Sequence, residues 1–529
     1  MAYHTSVYLF LFIPAVLLCY QLTPRKKRWI TLLFFNYIFF FILSKWRILY
    51  LAGATLVTWG AGCLLGRKKT QRAGEVSRLD GAEAKAARNK YQKEEKRLLT
   101  AGILLLLSVL LYLKYYNFFA ENLNRLLEKT GIGASLSLKN LLLPIGISFY
   151  TLQAVGYLAD VYWEKMPPER HLGKVALFLS FFPQIMEGPI SLYQQTADDL
   201  WEGKPLTAKN LSRGSIRIIW GLFKKLVIAD RLYVVVEELF QNYTAYHGAM
   251  IAFAAIAYTV QLYMEFSGCI DIIIGSGRLF GVIVPENFRQ PFFSKNAAEF
   301  WRRWHITLGV WFKTYIFYPI TVSSLMRKWN RFGKKHLNKY LKKAGASVLT
   351  LFPVWFCNGL WHGARWSYLF YGMYYFVILV AEVALEPVRD RAAAALRINK
   401  EATWYQTIRI LKTWVIIFTG ELFFRADTLT DGFRMFGRIF QGFVPAGLPD
   451  GTLLSLGLDR ADYLAVAAGC VVVAVVGVVK EKNLLGEKGL QGLGLPIRWA
   501  LYLLLIFSVL IFGAYGIGYQ QVDMIYAGF

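Results

Sequence analysis

Apolar runs close to 20 residues long recur along nearly the whole chain, and this recurrence constrains the fold more than any other feature. A helix of about 20 apolar residues spans the hydrocarbon of a bilayer. In lipid every backbone N–H and C=O must be satisfied within the protein, which leaves helices or closed barrels. Runs of this length select helices. The sequence therefore predicts an all-α polytopic membrane protein. A soluble chain of 529 residues would divide into three or four domains at about 150 residues each. Here 1–529 is expected to form a single membrane-embedded unit. Spans are predicted near 3–22, 29–44, 46–66, 98–119, 409–424, 462–479 and 499–518, with a hairpin of apolar runs at 345–361 and 366–385 and helices at 214–240 and 248–267. The first run lacks a basic leader and reads as a span rather than a cleavable signal.

The net charge of +26 would suggest nucleic acid in a soluble protein. Here Lys and Arg cluster in short loops between apolar runs. Cytoplasmic loops facing anionic lipid explain them, and no nucleic-acid partner is expected. Arg25 to Arg28 and Arg67 to Lys69 flank the first spans and place the N-terminus outside. The segment 67–97 reads as a polar cytoplasmic arm beside the lipid or as a solvated helical linker. Eight Lys or Arg and no acidic residue lie between Arg327 and Lys343, so this loop is also inside. So is the basic stretch from Lys480 to Arg498, which puts the C-terminus outside with the N-terminus.

Two stretches broken by Pro and Gly, Leu143 to Gln153 continuing through Gly156 to Tyr162, and Phe181 to Pro189, interrupt this pattern. Broken backbone at membrane depth survives only inside protein or along a cavity. With Gln153, Asp160, Gln184 and Glu187 embedded in them, they predict re-entrant or kinked segments beside a polar site. The glycines from Gly275 to Gly281 lack a preceding strand and a following acidic residue, so close helix packing explains them better than dinucleotide binding. The five cysteines lie in or beside apolar runs with no CxxC pair, and neither a disulfide framework nor a zinc site is expected.

The candidate chemistry lies in two histidines set among tryptophans. One is His305, within Asn296-Ala-Ala-Glu-Phe-Trp-Arg-Arg-Trp-His305. Asn296 is expected to cap a helix with Glu299 as its capping-box partner. Trp301, Trp304, Leu308, Trp311, Phe312 and Tyr315 then make an apolar stripe that includes His305. That histidine has two readings, base or packing residue. The other is His362, within Asn358-Gly-Leu-Trp-His362. It falls near the turn of a hairpin between two basic loops, deep in or across the membrane, where a titratable residue is by default a functional candidate. No G-x-S-x-G, H-E-x-x-H or Walker A motif occurs. Histidine as a general base remains: it takes the proton of a hydroxyl as that hydroxyl attacks an activated acyl group.

The pieces Phe300-Trp-Arg-Arg-Trp-His-Ile-Thr-Leu308, Trp311-Phe-Lys-Thr-Tyr-Ile-Phe-Tyr-Pro319 and Gly359-Leu-Trp-His-Gly-Ala364 resemble the membrane-bound O-acyltransferase family, and within it the bacterial alginate O-acetyltransferase branch. Pro144-Ile-Gly-Ile-Ser-Phe-Tyr-Thr, Ser180-Phe-Phe-Pro-Gln, Phe266-Ser-Gly and Pro285-Glu-Asn-Phe add to the match, which runs in order from about 115 to 427. The resemblance implies a ring of tilted helices and re-entrant segments around a central funnel, with donor entering from the cytoplasm and acceptor from the other side. His362 matches the family's principal histidine and His305 its second.

On that basis the expected function is transfer of an acyl group, taken as acetyl, from acetyl-CoA or an acyl carrier thioester to an extracytoplasmic polysaccharide, directly or through an extracytoplasmic acetyltransferase partner. The expected location is the bacterial cytoplasmic membrane. Asn358, Trp361, Trp304 and Glu299 are the expected supporting residues, and Arg302, Arg303 and Lys313 the expected contacts for an anionic donor. No bound cofactor and no metal are expected. The rival readings are D-alanyl transfer to teichoic acid, a polysaccharide or lipid transporter, and a scaffold for a secreted enzyme. Lys313-Thr314, where the family often has Arg-Asp, Glu187, and the ending 521–529 depart from the branch.

Overall fold

The structure, a computed structural model, describes residues 2–246, 248–441, 451–486, 489–515, 519 and 522. All regular elements among them are helical, and seven helical stretches are long and apolar enough to cross a membrane. The ending at 521–529 lies outside the described residues except for Val522. The chain forms two compact units, Met1–Ser215 with Ile273–Pro285, and Ile216–Ile272 with Glu286–Ile525.

The first unit begins with a π-helical turn, Val7–Phe12, leading into α1 (Ile13–Leu22). α2 (Arg28–Ser44) and α3 (Ile48–Val76) follow, then α4 (Gly81–Lys129). The 49 residues of α4 make a rod roughly 75 Å long at about 1.5 Å per residue. The segment 67–97 is helical on both sides of one turn. It is the polar continuation of α3 and α4, closed by a short turn at 77–80. Ala, Glu, Lys and Arg are good helix formers, and no proline stops either helix there. Lys68–Glu94 and Arg72–Glu95, both at 2.8 Å, clamp the two continuations together.

α5 (Ile147–Tyr162), α6 (Leu172–Ser180) and α7 (Tyr193–Glu202) complete the unit. Both broken stretches fall here. Gly146 starts α5 at φ 68°, and a Cβ on it would sit 1.8 Å from the carbonyl oxygen of Ile185. The two breaks thus pack against each other, which only glycine permits. Gln153, Asp160, Gln184 and Glu187 are all buried. The glycine stretch also packs closely: a Cβ on Gly277 would meet Val284 at 2.7 Å.

The second unit holds the candidate chemistry. α8 (Ala208–Leu222) passes through a π-helical turn at Phe223–Ala229 into α9 (Asp230–Gln241), and α10 (Gly248–Leu279) follows. α11 (Ala297–Arg303), α12 (Ile306–Phe312), α13 (Tyr318–Thr321) and α14 (Ser324–His336) are short. α15 (Lys339–His362) and α16 (Trp366–Ala395) form the predicted hairpin. Asn338 caps α15, its side chain accepting from the Leu341 N–H. The hairpin closes tightly because its crossing residues are glycines: a Cβ on Gly372 would lie 2.3 Å from the Trp355 carbonyl, and one on Gly359 2.6 Å from that of Tyr368. α17 (Thr403–Arg425), α18 (Leu429–Ile439), α19 (Arg460–Glu481) and α20 (Leu495–Phe512) end the chain. α19 and α20 expose large apolar side chains, among them Val471, Leu504 and Leu510. A surface of this kind belongs against lipid rather than water.

Candidate active site

The stripe predicted across one helix from Asn296 to Tyr315 is instead split. α11 stops at Arg303, and His305 takes a left-handed conformation, φ 46° and ψ 52°, before α12 begins. Asn296 does cap α11, accepting from the Glu299 N–H at 2.8 Å. The break comes from the segment before it in sequence. The Asn287 carbonyl accepts from the Ile306 N–H, and its side-chain oxygen accepts from the Thr307 N–H at 3.1 Å and the Thr307 hydroxyl at 2.9 Å. The same Asn287 oxygen lies 3.2 Å from His305 Nδ1. Asn287 thereby supplies the partners that a continuous helix would have supplied from within. Left-handed backbone at a non-glycine residue costs on the order of 1–3 kcal/mol and persists where its surroundings over-determine it.

His362 is the last residue of α15 and is buried. Its ring is surrounded by Trp361 at 5.0 Å, Phe424 of α17 at 5.0 Å, and Tyr371 and Tyr368 of α16 at 5.6 and 6.3 Å between centroids. Trp361 also meets His305 at 5.4 Å, so both histidine rings pack on one indole. Phe266 of α10 closes the far side of His305 at 5.0 Å. Asn358, one turn before His362, is buried with them. Trp304 belongs to the next aromatic layer, against Phe300, Phe288 and Tyr263.

The remaining predicted residues stand apart from this pocket. Glu299 accepts from the Lys295 N–H and pairs with Arg303 at 2.7 Å. Arg303 also pairs with Glu481 at 2.7 Å. Arg302 and Lys313 are exposed, and the Lys313 ammonium rests over the Tyr318 ring. No cluster of His, Cys, Asp or Glu among the described residues has the spacing of a metal site.

Three residues escaped the sequence reading. Asn287 lies in the Pro285-Glu-Asn-Phe piece, noticed only as a family match. Tyr371 and Glu421 form a buried pair beside His362, the tyrosine hydroxyl donating to a Glu421 oxygen at 2.8 Å. A carboxyl inside the apolar run 409–424 was the available signal, because such residues are rare at membrane depth and tend to be functional.

Residues 169–404 match the MBOAT, membrane-bound O-acyltransferase family. A protein of Pseudomonas syringae pv. tomato named "Probable alginate O-acetylase AlgI" is 32% identical over 446 residues, covering 83% of this chain and 75% of that protein. The chain belongs to the membrane-bound O-acyltransferase family. A peptidoglycan O-acetyltransferase of Helicobacter pylori is 29% identical over 70% of this chain and 68% of its own. A teichoic acid D-alanyltransferase of Bacillus subtilis is 28% identical over 45% of this chain and 59% of its own. This membrane-bound O-acyltransferase is thus a multi-pass membrane enzyme. His305, His362 and Trp361, the tryptophan that both contact, lie within the matched residues.

Proposed function

We propose that this enzyme moves an acetyl group from a cytoplasmic thioester, acetyl-CoA or an acyl carrier, to a hydroxyl of an extracytoplasmic polysaccharide, with His362 as the general base. The observation that carries this is the burial of His362 at the end of α15, ringed by Trp361, Tyr368, Tyr371 and Phe424. A general base needs an imidazole nitrogen in reach of the hydroxyl whose proton it takes. An imidazole nitrogen takes the proton of the acceptor hydroxyl as that oxygen bonds to the thioester carbonyl carbon. The C–S bond then breaks, and the leaving thiolate recovers the proton from the imidazolium. In this reading the Asn358 amide, four residues earlier on the same helix, donates to the oxyanion that forms between these steps. Water is kept from the thioester by the surrounding rings.

Acetyl as the acyl group draws on the two acetyl-transferring relatives, which match 70% or more of this chain, against 45% for the D-alanyl-transferring one. The cytoplasmic membrane, with both termini outside, draws on the basic loops at 327–343 and 480–498. Transfer is either direct in one chain or relayed by an extracytoplasmic acetyltransferase partner; both deliver the acetyl group to the same class of acceptor.

The test in cells is O-acetyl content of the envelope polysaccharide in a deletion strain complemented with wild type, His362→Ala or His305→Ala. Loss with His362→Ala at normal membrane abundance supports the reading, and undiminished O-acetylation contradicts it. A transporter or scaffold would keep its function without the histidine.

A further inference from the structure

We propose that a polar cavity in the second unit, between α8, α10 and the Lys480 end of α19, is a phosphate-binding site that holds the phosphate-bearing end of the acyl donor. This rests on the thioester-donor reading above. The cavity encloses about 50 Å³ and is lined by three cations, Arg217, Lys224 and Lys480, and two carboxylates, Asp271 and Glu286. At about 10–15 Å³ for each water-sized group, it has room for the oxygens of one phosphate.

The charges do not cancel. Asp271 serves both Arg217 and Lys224, the latter at 2.5 Å, and Glu286 takes a second Arg217 nitrogen at 2.7 Å. Lys224 is buried and also donates to the Ser267 hydroxyl at 2.8 Å. Lys480 stands at the exposed rim with no carboxylate within 4.0 Å among the described residues. A closed structural network of ion pairs would have matched each cation. Here one positive charge remains, beside fixed donors that face a space of suitable size.

The position fits a long donor. Tyr263 and Phe288 line the cavity, and both rings pack on Trp304, at 5.9 and 5.1 Å. Phe288 also meets Phe266 at 5.0 Å, Phe266 meets His305 at 5.0 Å, and His305 meets Trp361 and through it His362. A row of aromatic rings therefore joins the cavity to the proposed base. Both coenzyme A and a carrier protein's prosthetic arm place phosphate at one end of a flexible arm and the thioester at the other. Arg302 and Lys313, expected from sequence to hold the donor, line no part of this cavity.

The experiment compares purified wild type and Lys480→Gln, with Arg217→Lys as a charge-preserving control. Donors are acetyl-CoA and the phosphate-free S-acetyl-N-acetylcysteamine. Lys480→Gln should raise KM for acetyl-CoA about tenfold, the loss of one charge-assisted contact, while KM for the phosphate-free thioester stays unchanged. Equal KM values for wild type and variant with acetyl-CoA, or equal increases with both donors, overturn the proposal. Thermal stabilisation by inorganic phosphate should occur in wild type and vanish in Lys480→Gln; its absence in wild type also overturns the site. Stabilisation by phosphatidylglycerol in mixed micelles, lost in the variant with acetyl-CoA kinetics unchanged, would assign the site to a lipid headgroup and overturn its donor role. If wild type turns over neither thioester, the acetyl-transfer reading fails separately, and the inorganic phosphate measurement still decides the site.

Discussion

The Tyr371 hydroxyl donates a 2.8 Å hydrogen bond to Glu421, and the same tyrosine ring meets His362 edge-on with centroids 5.6 Å apart. The carboxyl on α17 thus fixes an aromatic wall of α16 against the proposed base on α15. Phe424, one turn after Glu421, packs on both His362 and Tyr371.

This arrangement predicts graded effects at Glu421. Glu421→Gln keeps an acceptor for Tyr371 and should retain most activity. Glu421→Ala and Tyr371→Phe each remove the bond and should lower kcat about fivefold, at about 1 kcal/mol for a buried hydrogen bond, with membrane abundance maintained. A pH profile of kcat separates positioning from packing: loosening the wall moves the profile, whereas a purely structural loss lowers it without a shift. Identical profiles for all variants would remove Glu421 from the site.

Asn287 holds the break between α11 and α12 through His305, Ile306 and Thr307. Asn287→Ala leaves a buried N–H and hydroxyl without their acceptor and should destabilise the protein by about 1–3 kcal/mol. Asn287→Asp keeps the acceptor and should cost less. Detergent-solubilised melting temperatures for the two variants check the order; equal values would show that the break does not depend on this side chain.

The polar continuation of α3 is tied to the residue after α5 by Glu164, which bonds Lys69 at 2.9 Å and also pairs with Arg72. Those two hydrogen bonds hold the Glu164 carboxyl below its ordinary value of about 4.5. A lowered pKa in the folded state contributes stability that is present above the ordinary value and lost as pH falls through the lowered one. Glu164→Gln should therefore speed proteolysis at the 77–80 turn between pH 5 and 7, and the difference from wild type should shrink below about pH 4.5. The tie is largely solvent-exposed, so the effect should be small and weaken with salt. A difference that grew on acidification would contradict the ion-pair explanation.

Arg303 pairs with Glu299 and Glu481 at 2.7 Å each, which gives it a structural partner at both ends. Arg303→Gln should lower stability while leaving KM for the donor unchanged in the protein that folds. A selective rise in KM would return Arg303 to donor binding.

Much of this was legible in the sequence because it depends on local pattern. The α15–α16 hairpin follows from two apolar runs between basic loops, and His362 falls at its turn as expected. The helical spacing around Trp301 and Trp304 could not reveal the break at His305, because nothing local stops the helix there. Its cause is Asn287, 18 residues upstream, acting through tertiary hydrogen bonds. The pairing of Arg303 with Glu481, 178 residues apart, was equally invisible to a local reading. Glu421 was different: a lone carboxyl in an apolar run was there to be read.

The most direct test is acetyl transfer by purified enzyme in proteoliposomes, comparing wild type with His362→Ala and His362→Gln, with and without added imidazole. Loss of one positioned base predicts a fall in kcat of about 10²–10⁴-fold at unchanged donor binding. Free imidazole should recover part of the activity in His362→Ala, whose cavity admits it. Activity within twofold of wild type in either variant would contradict a role for His362 as base.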